Sequence, residues 1–197
     1  MVEGKAIEAA KLLQAAWAEG KILQDLPSTC APTNEAEATA IGDAIISNFG
    51  HEIGGWKIGA TGEGPQKALG LTQPFVGAIR ASNVLSSPGE FQFKDLNRPI
   101  VESEYAYRLK KDLDPRDKGY SRTEVEAAIG SIICGIEVPL SRLSADNTLG
   151  PLALLADHGG TGYYLIGAEI EDWRSVDAVN TEVSLSFDGS EAGRGTG

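Results

Sequence analysis

The apolar pattern of the chain changes from helical to alternating near residue 50, and this change most constrains the fold. Near the N-terminus, Ile7, Ala10, Leu13 and Trp17 recur every three to four residues. That spacing places their side chains on one face of an amphipathic helix. The pattern predicts a helix over residues 4–26.

A second helix is predicted in "PTNEAEATAIGDAIISNFG", with Thr33 as its N-cap and Gly50 at its end. The segments that follow are mostly strand-like. They are "GWKIGA", "PFVGAI", "SSPGEFQF", "RPIVESEYAYRL", "GYYLIGAEI" and "TEVSLSFDG", with a loop expected after "GWKIGA". One further helix is predicted in "YSRTEVEAAIGSIICGIEV", capped by Ser121 or Thr123 and passing into a strand near "CGIEVPLSRL". Helices followed by strands indicate an α+β fold rather than a regular βαβ array.

The length of 197 residues suits one domain, divided here into a helical segment at 1–50 and a strand-rich segment at 51–197. The net charge of −11 and the lack of a large basic cluster argue against nucleic acid and anionic membranes as partners. Two cysteines without CxxC spacing give no zinc motif, and the first residues lack a signal-like apolar core. We therefore expect a cytoplasmic protein.

Two glutamates one residue apart stand out in "RPIVESEYAYRL". If this run is a strand, Glu102 and Glu104 share one face, roughly 7 Å apart, and repel each other unless a cation lies between them. Carboxylates suit Mg²⁺ or Mn²⁺, and Glu137, flanked by Ile136 and Val138, is a third candidate ligand. The alternative is a solvated strand face without a metal.

Three further groups carry possible chemistry. Lys57 lies in an apolar strand, either as a surface residue or as a positive charge or acid–base group for an anionic substrate. His51 and His158 are the only histidines, and each is either structural or a base. The loop "GATGEGPQK" lacks the GK[ST] ending of a phosphate-binding loop and does not lead clearly into a helix.

Taken together, four segments resemble a known family. "GWKIGATGEGPQKALGLTQPFVG", "RPIVESEYAYRL", "GIEVPLSRL" and "LLADHGGTGYYLIG", in this order, are similar to the 2-keto-4-pentenoate hydratase / 4-oxalocrotonate decarboxylase branch of the fumarylacetoacetate hydrolase superfamily. The resemblance implies a mixed β-roll, like the C-terminal domain of that superfamily, over residues 51–197. It also implies a homo-oligomer, or a complex with a paralogous or pathway enzyme.

The resemblance implies the following site. A divalent cation, Mg²⁺ or Mn²⁺, is held by Glu102, Glu104 and Glu137 and chelates a small 2-keto acid substrate. Lys57 is the catalytic residue, and Gln66, His158 and Thr161 contact the substrate. The implied function is that of a metal-dependent hydratase or decarboxylase acting on a 2-keto-4-enoate or 2-hydroxydienoate in the catabolism of aromatic compounds.

Three departures from the family pattern leave alternatives open. Phe75 stands where hydratases carry an acid, His158 replaces an asparagine, and the chain ends at "GRGTG", where family members continue. The C-terminal part of the roll is therefore expected to be missing or replaced. The alternatives are an acylpyruvate-type C–C hydrolase with His51 or His158 as base, and a catalytically impaired partner subunit.

Overall fold

The computed structural model describes residues 2–48, 50–92 and 100–196. These residues form five α-helices: α1 (Val2–Ala18), α2 (Glu35–Ser47), α3 (Glu63–Leu69), α4 (Arg122–Ala128) and α5 (Pro151–Ala156). The strands are β1 (Ile53–Gly59), β2 (Phe75–Arg80), β3 (Val84–Ser86), β4 (Glu102–Leu109), β5 (Ile129–Val138), β6 (Tyr163–Ile170), β7 (Glu182–Phe187) and β8 (Ser190–Thr196). The predicted α+β class is confirmed.

The strands form three sheets. β1 pairs with β2, β7 pairs with β8, and a four-stranded sheet has the order β3-β6-β5-β4. The chain divides into two compact units, one with Met1–Leu85, Glu90–Ile100 and Val138–Tyr164, the other with Ser86–Gly89, Val101–Glu137 and Leu165–Gly197. None of the helices in the described ranges is long and apolar enough to cross a membrane.

The first unit has its core between α1, α2 and α5. The buried side chains of α1 recur at Ala6, Ala9, Ala10, Leu13 and Ala16, the stripe expected of an amphipathic helix. The first four of them pack in one apolar cluster with residues of α2 and α5. This packing fixes α5, which leads into the loop that contains His158 and Thr161.

A close approach of α2 to the end of α5 positions the loop after α5. A side chain at Gly42 would place its Cβ 2.8 Å from the Leu155 carbonyl oxygen and 3.5 Å from His158 Cα. Only glycine allows this contact between backbones without displacement. The Asp157–Thr161 loop is therefore held directly against α2.

In the second unit, antiparallel pairing of β4 and β5 sets the register of the candidate metal ligands. Glu102 lies opposite Glu137, and Glu104 lies opposite Gly135. On β5, Ile132 and Ile133 are 1% and 4% exposed, so both faces of the strand are covered at its centre. The predicted strand "RPIVESEYAYRL" is observed from Glu102, while Arg98 and Pro99 lie outside the described residues.

Two predictions about helix ends were wrong. The first helix ends at Ala18 rather than residue 26, because Gly20 adopts φ +62° and Lys21 N–H donates to Ala16 O, as in a Schellman cap. The N-cap of α2 is Asn34, whose side chain accepts from Glu37 N–H. Thr33 instead bonds the Glu37 carboxylate.

The segment after β1 also differs from its prediction. A loop was expected there, but Glu63–Leu69 form α3, which ends at Gly70 with φ +68°. The seven residues make less than two turns, too short for a periodic apolar pattern to be visible. Lack of the GK[ST] ending still separates this loop from a phosphate-binding loop.

Candidate functional site

Three carboxylates converge on one face of the β4–β5 pair. Directly opposed residues of antiparallel strands point to the same side, so Glu102 and Glu137 are neighbours. Glu104, two residues along β4, points to that side as well. One carboxylate oxygen from each of the three lies within 4.8 Å of the others.

The environment of the three differs. Glu137 is only 2% exposed, whereas Glu102 and Glu104 are exposed. Burying a carboxylate in an apolar strand is costly unless hydrogen bonds or a counter-charge compensate it. An all-oxygen, negatively charged donor set at this spacing fits a hard divalent cation such as Mg²⁺, which binds a few carboxylates and keeps water on its other positions.

Lys57 belongs to β1 in the first unit. It lies opposite Gly77 of β2 and is half-buried. Its ammonium lies over the ring of Phe75, 5.6 Å from the ring centroid. The residue is therefore neither a fully solvated surface lysine nor fully enclosed.

Gln66 has a structural contact in the same unit. Its side-chain amide nitrogen donates to the carbonyl oxygen of Ala60 at 2.9 Å. Ala60 follows β1 and has φ +55°, an uncommon conformation for a residue with a side chain. The bond ties α3 to the end of β1 and leaves the amide oxygen of Gln66 for another partner.

His158 and Thr161 lie together in the loop after α5, and both are buried. The Thr161 hydroxyl donates to His158 O at 2.8 Å and lies 3.3 Å from His158 Nδ1. His158 Nε2 lies 2.9 Å from Arg142 Nη2. Because a guanidinium only donates, Nε2 accepts and the imidazole is neutral, with its proton on Nδ1.

The electrostatics agree with a neutral His158. Burial is the largest cause that lowers the pKa of His158, to about 2, and the charges of Arg142, Arg80 and Lys57 add to it. A group with such a pKa is a weak base near pH 7, and the imidazolium that would act as a general acid is not present. The residue instead connects the Arg142 guanidinium to the Thr161 region.

Arg142 and Asp157 form a buried ion pair that the sequence did not reveal. Arg142 Nε lies 2.6 Å from Asp157 Oδ1, and the Arg142 backbone N–H donates to Asp157 Oδ2 at 2.7 Å. Arg142 also donates to the carbonyl oxygens of Leu140 and Thr161. A signal existed in the arginine of the apolar run "VPLSRL", since an arginine in a core needs a partner.

A cavity beside this network is too small for substrate. Its lining includes Trp17, Arg80, Arg142, His158 and Thr161, and its volume is about 10 Å³. That is space for about one water molecule. It is therefore too small to hold the 2-keto acid that the family resemblance implies.

The structure thus groups the predicted residues in two sets. Glu102, Glu104 and Glu137 meet in one unit. In the other unit, Lys57, His158 and Thr161 surround Gly77, where a Cβ would collide with Thr161 Oγ1 and His158 O and lie 3.2 Å from Lys57 Cγ.

The comparisons with known proteins confirm the resemblance seen in the sequence. The chain is 28% identical over 188 residues to a 2-keto-4-pentenoate hydratase of Burkholderia vietnamiensis, covering 94% of this chain and 71% of that one. It is 31% identical over 150 residues to a 2-hydroxyhexa-2,4-dienoate hydratase of Comamonas testosteroni, covering 75% and 56%. No family model matches.

Among solved structures, the fold is similar to that of a 4-oxalocrotonate decarboxylase from Pseudomonas putida G7, complexed with magnesium and adipate. The TM-score is 0.85 at 20% sequence identity, over 98% of this chain and 73% of the decarboxylase chain. At this identity the likeness concerns the fold.

Proposed function

We propose that this chain, which belongs to the 2-keto-4-pentenoate hydratase / 4-oxalocrotonate decarboxylase branch of the fumarylacetoacetate hydrolase superfamily, is a divalent-metal-dependent lyase. Its substrate is a 2-keto-4-enoate or the corresponding 2-hydroxydienoate from the catabolism of aromatic compounds. The observation that carries the proposal is the group of Glu102, Glu104 and Glu137, with ligand oxygens within 4.8 Å of one another.

These three glutamates would hold Mg²⁺ or Mn²⁺. When bound, such a cation acts as a Lewis acid on a 2-oxo acid and favours its enol form. The glutamates provide three oxygen ligands, and the buried Glu137 anchors the set because its side chain has little room to move. The solved decarboxylase is described once as complexed with magnesium and once with calcium, which supports a divalent cation.

The organic part of the substrate is the proposed target of Lys57, Gln66, His158 and Thr161. Lys57 supplies a positive charge for the carboxylate, or for the negative charge that develops during reaction. The Thr161 hydroxyl can exchange its bond to His158 O for a substrate oxygen, and the amide oxygen of Gln66 can accept a substrate hydroxyl. His158 contributes by keeping Thr161 in place rather than by carrying a proton.

Hydration and decarboxylation place different demands on these residues. Addition of water needs a group that moves protons, typically worth about 10²- to 10⁴-fold in rate. Phe75, at the position that the family resemblance assigns to an acid, cannot do this. Decarboxylation and tautomerisation depend more on a fixed positive charge, so we expect them to be favoured over hydration.

Two other functions remain as alternatives. An acylpyruvate-type C–C hydrolase would need a histidine base, and the lowered pKa of His158 weighs against that residue, which leaves the exposed His51. A catalytically impaired partner subunit would keep the fold but show no turnover. Four other expectations also remain predictions. They are the β-roll architecture, the division at residue 50, the homo-oligomer and the cytoplasmic location.

The metal site is tested by Glu104→Gln. Removing one charged ligand should abolish Mg²⁺ binding in isothermal titration without unfolding the protein, because Glu104 is exposed. Glu171→Gln, an exposed glutamate outside the cluster in the same unit, is the matched control. Unchanged Mg²⁺ affinity in Glu104→Gln would rule out the assignment.

The reaction is tested with the wild-type protein and Mg²⁺. A hydratase consumes the dienoate without CO₂, a decarboxylase releases CO₂ from a 2-oxo-enedioate, and a hydrolase splits an acylpyruvate into pyruvate and a second acid. Turnover of the acylpyruvate alone would favour the first alternative. No turnover, together with intact Mg²⁺ binding, would favour the second.

A further inference from the structure

The ring of Phe75 fills a slot formed by glycines. Phe75 lies opposite Gly59 in the β1–β2 pairing. A Cβ at Gly59 would collide with the ring at Cζ, and a Cβ at Gly159 would lie 2.7 Å from Cε2. Both are closer than real carbon contacts, so the ring can occupy this place only because two side chains are missing.

Gly159 and a further glycine, Gly77, make room for the side chain of Lys57. A Cβ at Gly159 would come within 3.0 Å of Lys57 Cε, and one at Gly77 within 3.2 Å of Lys57 Cγ. The aliphatic part of Lys57 therefore runs over two positions without side chains, and its ammonium reaches the Phe75 ring at 5.6 Å. Gly159 has φ +80°, a conformation in which glycine is strongly preferred.

Several positively charged side chains surround the loop that contains His158, and the Phe75 ring offers an electron-rich face to one of them, Lys57. Lys57, Arg80 and Arg142 all act electrostatically on His158, and Asp157 balances Arg142. In surroundings that carry several positive charges, an electron-rich group beside the ammonium of Lys57 favours its position. The face of an aromatic ring attracts a cation within about 6 Å.

We infer that Phe75 is a positioning residue whose ring helps to hold the ammonium of Lys57 in place, so that the lysine acts as a fixed positive charge on an anionic substrate. The catalytic consequence rests on the proposed function, whereas the position of Lys57 does not. Phe75 itself touches no reacting atom. A leucine would still cover Gly59 with apolar atoms, but it lacks the electron-rich face.

The position of Lys57 is tested by NMR with lysine ¹³C-labelled at Cε. A cation above a ring lies in its shielding region, so the Hε signal of Lys57, identified by its loss in Lys57→Arg, should be shifted upfield from the other lysines. The shift should disappear in Phe75→Leu and persist in Phe75→Tyr. Val76→Ala is the matched control, since Val76 is the next residue of β2 and is 50% exposed.

Kinetics provide the second test. Phe75→Leu should lower kcat by about 3- to 30-fold at similar KM, and Phe75→Tyr should restore most of it. An unshifted Lys57 signal in the wild type, or equal effects of leucine and tyrosine on kcat, would overturn the inference. If the wild type turns over no 2-keto-4-enoate but Lys57 shows the ring shift, the proposed function fails and the positioning stands.

Discussion

At the scale of single residues, the network around Arg142 explains why a histidine can replace an amide in this loop. The guanidinium binds Asp157 and donates to His158 Nε2, so the position needs an acceptor rather than a base. A buried ion pair of this kind costs desolvation, and removing one partner typically destabilises by about 3–5 kcal/mol. His158 is therefore best understood as a neutral acceptor within a structural network.

This state of His158 has a predictable pH dependence. Its pKa is about 2 in the folded protein against 6.5 ordinarily, so between these values the unfolded chain binds more protons. Stability should then fall as the pH decreases below about 6.5, by up to about 1.4 kcal/mol per pH unit. Urea unfolding at pH 7.0, 6.0 and 5.0 measures this slope.

The comparison is made with His158→Asn, which keeps an acceptor for Arg142 but has no titrating group. In the variant, the free energy of unfolding should fall less steeply with decreasing pH, because the contribution of His158 is missing. This holds whatever the stability of the variant at pH 7. Equal slopes in wild type and variant would mean that His158 titrates normally in the folded protein.

At the scale of elements, α4 is a short helix that depends on its start. The Ser121 hydroxyl accepts from Glu124 N–H, and the Glu124 carboxylate accepts from Ser121 N–H, which together make a capping box. The Arg116 guanidinium also binds that carboxylate, and it is the largest cause that lowers the pKa of Glu124, to about 2. The cap fixes where α4 begins and hence where β5 follows.

Loss of the cap should be measurable. Ser121→Ala removes both hydroxyl contacts and should lower the free energy of unfolding by about 1 kcal/mol. The control is Thr123→Ala, two residues later in α4, where the exposed side chain is not the N-cap. Chemical denaturation of both variants at pH 7 decides between the candidate caps, and an equal loss in the two would contradict the assignment to Ser121.

At the scale of the molecule, a chain with a negative net charge also gathers three negatively charged side chains at one place. The net charge is −11, and three glutamates converge on β4 and β5. A cation bound there relieves their repulsion only in the folded state, because the strand register that brings them together is lost on unfolding. Binding of a cation at the proposed site would therefore be coupled to folding stability.

Removal of the metal should lower stability. At Mg²⁺ a hundred times above its dissociation constant, the wild type should gain about 2.7 kcal/mol over the EDTA-treated protein. Glu104→Gln should gain little, while Glu171→Gln should respond like the wild type. Urea unfolding at matched ionic strength measures the difference, and an equal gain in Glu104→Gln would point to nonspecific charge screening.

The amino-acid sequence by itself determined the α+β class, most of the strand runs and the two glutamates that share a face of β4. These depend on local periodicity, which the chain carries residue by residue. Two predictions about strands were wrong: in the described residues "SSPGEFQF" is strand only at Ser86, and the helix after Ser121 gives way to β5 already at Ile129. The sequence-based prediction placed the end of α1 too late, because the left-handed glycine that ends it leaves no mark in the apolar period. It missed α3, because a helix of less than two turns is too short to show a period.

Only the tertiary structure decided which distant residues meet. It placed Glu137 opposite Glu102, paired Arg142 with Asp157, and put the Phe75 ring into the space left by Gly59 and Gly159. Strand register and close packing join residues far apart in sequence, and no local preference encodes those pairings.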